Sequence, residues 1–340
     1  MLKLRLDPWA TEYNTAYYAD DVPLEEKVNV DTGLESSDWQ AIRADECPPA
    51  HYERLLFTDG TRRVEARLLV EDEQQQVAFG VLGSFGIGVI DCCSAGSRRA
   101  EFMDLDYIGL ESINRLCAIG NGRSVASFDI ASAVSHRLGT LSYRVETSDK
   151  RDPDAVARTI QFEMLKAEGV LARRLLDSFP EALVVTDGPL PRMGFVENMI
   201  GYVKTIHQIN ITEKEMAVVR ALEEGERSPL YLVTGKDKTQ QRFECFLRLR
   251  DPNPWLYSLA GMVRLQVYAG TNPADRLDEV CSLMNWLAHT LPRFASKQHQ
   301  DPRAPQQLLP IRALEKDLGR RMGNPSITRR RIMSHLQASA

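Results

Sequence analysis

The chain has 340 residues, 43% of them hydrophobic and 26% charged, with a net charge of −5. This is the balance of a folded globular protein, with enough chain to bury a sizeable core in one large domain or two. It excludes a membrane-spanning design, since the longest apolar runs, such as VAFGVLGSFGIGVI, are glycine-broken and fall short of the roughly 18 to 20 residues a span needs.

The opening MLKLRLDPW lacks the apolar core of a secretion signal, so a cytoplasmic location is expected. Six cysteines form no CxxC pair, which points to reduced thiols rather than a zinc site. Charge is unevenly placed. Residues 1–46 hold eleven acids against four bases, whereas residues 302–340 hold eight bases against two acids. A basic end on an acidic body is the footprint of a polyanion partner or a solvated helix end.

In chain order, residues 1–50 read as an acidic, turn-rich extension. RLLFTDG and RRVEARLLV then read as two strands joined at Asp59-Gly60, because Asp-Gly between apolar runs is a strong hairpin signal. QQQVAFGVLGSFGIGVIDCC is a third strand. Residues 94–150 are mixed in character and are read as an insertion. DPDAVARTIQFEMLKAEGVLARRLLDSF is the best helix, with Asp152 as N-cap and Pro153 in the first turn. EALVVTDG is a buried strand delivering a second Asp-Gly, at Asp187-Gly188. A strand at MIGYVKT, a capped helix at TEKEMAVVRALEEG, a strand group through AGMVRLQVY and a helix at PADRLDEVCSLMNWLAHTL follow. Two short basic helices close the chain, with residues 326–340 as a basic tail. The order predicts an α/β fold, a mixed sheet with flanking helices.

Two strands that each deliver an aspartate would set two carboxylates close together. Such a pair is costly unless a cation lies between them. Oxygen-rich sites suit Mg²⁺ or Mn²⁺, and the chemistry they serve best is phosphoryl displacement. A third acid is expected from the helix. On a wheel at 100° per residue with Ile160 at zero, Glu163 falls at about −60° and Glu168 at about +80°. Glu163 then lies between Val156 and Val170 on the apolar face and is the preferred ligand, with Glu168 second. Arg264, inside the apolar MVRLQVY, needs an anionic partner, either a phosphate or a carboxylate.

The spaced elements FTDGT, a Glu-bearing helix, VVTDGPL, IGYVKT, MVRLQVY and LPIRALEKDLGRR, from about residue 53 to 323, together resemble the NurA nucleases, partners of the HerA hexameric translocase. The resemblance implies an RNase H-like fold over residues 51–325 and a Mn²⁺- or Mg²⁺-dependent nuclease acting on DNA ends. It also implies a homodimer docking on a HerA-type ATPase. By matching position it makes Asp59, Glu163 and Asp187 the metal ligands, and Lys204 a catalytic lysine facing phosphate. Arg264, Arg320, Arg321, Arg329, Arg330 and Arg331 are the expected nucleic-acid contacts. The family's second Asp-Gly continues here into Pro189, which has no N–H to offer a phosphate. Its C-terminal Ala-His falls at Ala313-Leu314, so the histidine ligand is either absent or replaced by another residue, Glu315 or Asp317. A non-catalytic adaptor that keeps the fold and the ATPase-docking surface is the competing reading.

Overall fold

The computed structural model describes residues 3–6, 28–43, 52–92, 100–125, 127–130, 139–191, 196–204, 209–235, 241–251, 259–297, 299 and 303–338. The strands are β1 (Lys3–Leu6), β2 (Asn29–Asp31), β3 (Arg54–Glu71), β4 (Val77–Asp91), β5 (Glu101–Phe102), β6 (Ile113–Ile119), β7 (Phe128–Ile130) and β8 (Leu141–Thr147). After helix α1 (Pro153–Ser178) come β9 (Ala182–Asp187), β10 (Met199–Val203), α2 (Glu213–Ala221), β11 (Tyr231–Thr234), β12 (Gln241–Arg248) and β13 (Met262–Tyr268). Helices α3 (Pro273–Thr290), α4 (Leu309–Arg321) and α5 (Pro325–Ala338) complete the fold.

These strands form one large sheet in the order β2-β11-β12-β13-β10-β9-β3-β4-β6-β8-β7, with β1 against β3 and β5 against β4. Most ladders are antiparallel, but β9 runs parallel to both β3 and β10, and β6 parallel to β8. The α/β expectation therefore stands as a mixed sheet with flanking helices. The segment 94–150, expected as an insertion, supplies β6, which pairs with β4 over Ile113–Ile119 and is integral to the sheet.

One local expectation is overturned. Asp59-Gly60 is not a hairpin turn: β3 runs unbroken for 18 residues, and Asp59 pairs with Gly88 in its middle. The chain reverses instead at residues 72–76, where Asp72 accepts from the Gln74 and Gln76 amides and Gln75 takes a φ of 60°. Those polar residues satisfy the reversal locally, whereas Asp59-Gly60 is flanked on both sides by strand-forming residues whose ladder bonds continue through it.

Alternation divides the strands between two layers. Leu55 and Phe57 of β3, with Leu183 and Val185 of β9, pack against α3 residues Leu283, Met284 and Leu287. Leu56 and Val184, one residue out of phase, pack against Val156, Ile160, Leu171, Ala172 and Leu175 of α1. Helix α1 thus covers one face, and α3 and α4 the other. Glycines bring the helices close. A Cβ at Gly83 would lie 2.2 Å from Ile160 of α1, and one at Gly88 would lie 2.7 Å from Leu314 of α4.

The C-terminal end is folded onto the sheet. Ile332 and Leu336 of α5 join Ala66, Leu68 and Val70 in a third apolar cluster. Residues 28–43 are tied down as well: β2 pairs with β11, and Glu35 receives a forked hydrogen bond from the buried Arg227.

Candidate active site

Asp59 and Asp187 both project from the sheet toward α3 and α4, since each is in phase with the strand residues that pack on that side. Parallel pairing of β3 with β9 sets the two strands side by side. Helix α4 crosses the same face, drawn in over Gly88, the cross-strand partner of Asp59. This brings in a third acid. Asp59, Asp187 and Glu315 each offer a carboxylate oxygen, and the three lie within 4.8 Å of one another. Of the two replacements expected from sequence, Asp317 is instead taken up by Arg320 and Arg321, at 3.5 and 2.6 Å.

Glu168 approaches from the opposite layer. Gly60 makes this possible: a Cβ there would sit 2.0 Å from the Glu168 Oε1. The glycine of the Asp-Gly pair is therefore space for a carboxyl and not a turn. Burial, then the Asp187 charge, push the Glu168 carboxyl up to about 8. Glu163 is placed elsewhere. It accepts from Arg144 at 2.7 Å, with Lys166 at 3.7 Å, and stands outside the carboxylate group. The physical reason lies in which residues define the buried face of α1. Val170 is 41% exposed, whereas Ala172 and Leu175 are fully buried. The centre of the face is thus rotated from Ile160 toward Leu175, carrying Glu168 inward and Glu163 to the rim.

The electrostatics of the group are those of a concentrated negative charge. Asp59 is only 6% exposed; burial raises its carboxyl well above the usual range, with Asp187 adding to the rise and Lys204 opposing it. The Asp187 carboxyl is raised for the same first reason and restrained by Lys204, whose ammonium lies 2.6 Å from Oδ2. The Gly60 amide donates to Asp59 Oδ1 at 2.8 Å. Among the described residues, Asp59 Oδ2 and Asp187 Oδ1 have no hydrogen-bond partner. Two buried carboxylate oxygens without donors, facing a third acid, are a donor set suited to a hard divalent cation.

Around the acids lies a polar collar. Arg303 grips Glu315 through two bonds of 3.0 and 2.7 Å, and Gln307 donates to the same carboxylate at 3.0 Å. Lys204 also donates to Gln307. The loop after Asp187 is folded back over Gly201, where a Cβ would lie 2.7 Å from the Leu190 nitrogen, and the Leu190 amide donates to Gln266 at 3.0 Å.

The remaining expected contacts are scattered. Arg264 sits in β13 beside β10, 9% exposed, with its Nε 3.5 Å from buried Glu244, so its anionic partner is a carboxylate. Arg331 donates to the Ile130 and Gly139 carbonyls. Arg320, Arg321 and Arg330 are exposed, and Arg329 is half-buried.

In comparison with known protein families, the family model of the NurA domain fits residues 110–308, more than half of the chain. Asp187 and Lys204 lie inside that span, whereas Asp59 and Glu315 lie on either side of it. No curated protein matches the chain.

Proposed function

The chain belongs to the NurA domain family, and from that premise we propose that it is a divalent-metal-dependent nuclease hydrolysing phosphodiester bonds at DNA ends. The observation that carries this reading is the group of Asp59, Asp187 and Glu315, with ligand oxygens within 4.8 Å of one another and two buried aspartate oxygens that lack donors among the described residues. We assign Asp59, Asp187 and Glu315 as the residues that would hold Mn²⁺ or Mg²⁺, with Glu168 beside them as the helical acid in place of Glu163. A bound ion would supply Lewis acidity and a reactive water at neutral pH.

The chain's own groups set the rest. The carboxylates fix where positive charge collects. Lys204 opposes the rise that burial imposes on the Asp187 carboxyl and stands where it can meet a phosphate oxygen. Arg303 holds Glu315 from the rim by a forked pair of hydrogen bonds. The order β6-β4-β3-β9-β10, antiparallel through β3 and parallel beyond it, supports an RNase H-like reading of the nuclease unit, which we place at residues 51–325. By family, we propose DNA and a HerA-type hexameric ATPase as partners, a homodimer as the working form, and a cytoplasmic location.

The test uses labelled linear DNA with Mn²⁺, Mg²⁺ or chelator, for the wild type and Asp59→Asn. Cleavage is expected with either metal, none with chelator, and a loss of at least about 100-fold in the variant, the scale of removing a principal charge-stabilising group. Asp59→Asn that binds DNA and cuts at the wild-type rate would refute the assignment. Adding the partner ATPase is expected to raise the wild-type rate.

A further inference from the structure

We propose that Gln307 is a positioning residue of this centre. Its side-chain amide, by bridging Lys204 and Glu315, holds the ammonium on Asp187 and turns the Glu315 carboxylate toward the two aspartates. This rests on the metal-dependent reading above and names a residue that reading does not require.

Gln307 is fully buried, yet both ends of its amide are engaged by charged groups of the site. Nε2 donates to Glu315 Oε2 at 3.0 Å, and Oε1 accepts from the Lys204 ammonium. Lysine can only donate and an ionised glutamate can only accept. A primary amide serves both without adding a charge to a site already crowded with them. A glutamate at 307 would face Glu315 with a like charge, and a lysine would face Lys204 with one.

Glu315 has a competing attraction. Arg303 holds it by two bonds, and the Arg303 side chain is 51% exposed, at the rim. Left to Arg303 alone, the carboxylate has every reason to follow the guanidinium outward. The Gln307 bond comes from the buried side and opposes that pull.

The backbone is built to hold the amide still. The Gln307 N–H donates to the Arg303 carbonyl, and its carbonyl accepts from the Ser296 amide at 3.0 Å. The preceding residue clasps the end of β10: the Gln306 carbonyl accepts from the Tyr202 hydroxyl at 2.6 Å, and its side chain donates to the Lys204 carbonyl at 3.4 Å. Lys204 is thus registered against Gln307 through main chain and side chain together. A buried polar group fixed in this way supports the groups that touch the ion, and its loss is felt through them.

The experiment compares the full-length wild type with Gln307→Met, which keeps the length and volume and removes both hydrogen bonds. Mn²⁺ binding is read by calorimetry without DNA, DNA cleavage is read across a Mn²⁺ series, and thermal unfolding is read with chelator. The expected result is a rise of about 10- to 100-fold in the Mn²⁺ concentration for half-saturation in both binding and cleavage. The rate at saturating Mn²⁺ recovers to within a few-fold. A metal-free melting temperature that falls while Mn²⁺ affinity stays at the wild-type value would overturn the proposal, because a merely structural glutamine behaves that way. A wild type that binds no Mn²⁺ refutes the metal centre itself and is distinguishable from that outcome. Should Gln307→Met fail to fold, Gln307→Asn keeps a polar amide that is one methylene too short to span both partners. It is expected to show the same rise, and wild-type affinity in that variant overturns the proposal.

Discussion

Substituting glutamine for Glu168 should stabilise the metal-free protein and disable it. The Glu168 carboxyl is raised from 4.5 to about 8, first by burial and then by Asp187. The folded protein therefore keeps this proton up to about pH 8, while the unfolded chain releases it near 4.5. Stability from the group is complete below about pH 4.5 and is lost as pH rises through 8. At about 1.4 kcal/mol per pH unit across that window, the loss approaches about 5 kcal/mol above pH 8 and is roughly 3 kcal/mol at pH 7. Glutamine cannot ionise and fits the same space beside Gly60. Glu168→Gln should match the wild type near pH 4.5, exceed it increasingly toward pH 8.5, and lose Mn²⁺-dependent cleavage. Urea unfolding with chelator across that range measures the first effect, and linear-DNA cleavage the second. Glu163→Gln is the internal control. Glu163 is bound to Arg144 and Lys166 at the helix rim, where losing such pairs costs about 1 kcal/mol or less. If Glu163→Gln flattens the pH profile and Glu168→Gln leaves it unchanged, the helical acid has been assigned to the wrong residue.

Gly60→Ala removes no ligand, yet its Cβ would lie 2.0 Å from the Glu168 Oε1 and 3.0 Å from Met164; it should cost about 1 to 3 kcal/mol as an overpacked site and depress cleavage, both read on one purified protein. Arg320 and Arg321 are exposed on α4, each paired with Asp317. The double change to alanine should weaken DNA binding most at low salt and reduce the slope of log affinity against log salt by about 2. An unchanged slope with a lost ATPase complex in size-exclusion chromatography would make them docking residues instead.

Periodicity made most of the fold legible. Helix α1 begins at its Asp152 cap, whose side chain accepts from the Ala155 amide, and α2 carries the capping box seen in TEKE. Local signals failed where tertiary pairing outweighed them. Asp-Gly has hairpin chemistry on its own, but β9 on one side and β4 on the other hold residues 54–60 extended. A single sequence window has no access to those neighbours. The pairings within segment 94–150 were hidden for a related reason. Its strands β6 and β8 pair with each other in parallel and β6 joins β4, contacts that no turn signal announces.

The candidate site was partly legible, and the choices that sequence left open among helical acids have a common cause. Asp59 and Asp187 stood out because each follows directly on an apolar strand run. Glu315 and Glu168 reach the same place from helices, and a helix position is decided by rotation about its axis. That rotation was readable, but from glycines rather than acids. Gly60 is vacant space on the α1 side of β3, and Gly86 and Gly88 are vacant space on the α4 side of β4, filled by Glu168, Leu318 and Leu314 respectively. A glycine inside a strand weakens it, so one beside a carboxylate needs a reason of its own. Here the reason is close approach of a helix, and α4 carries Glu315 one residue beyond Leu314. In FTDGT and in GSFGIGVI, the glycines mark where the two helical acids enter. The aspartate shows where charge is held, and the glycine next to it shows the side from which the rest arrives.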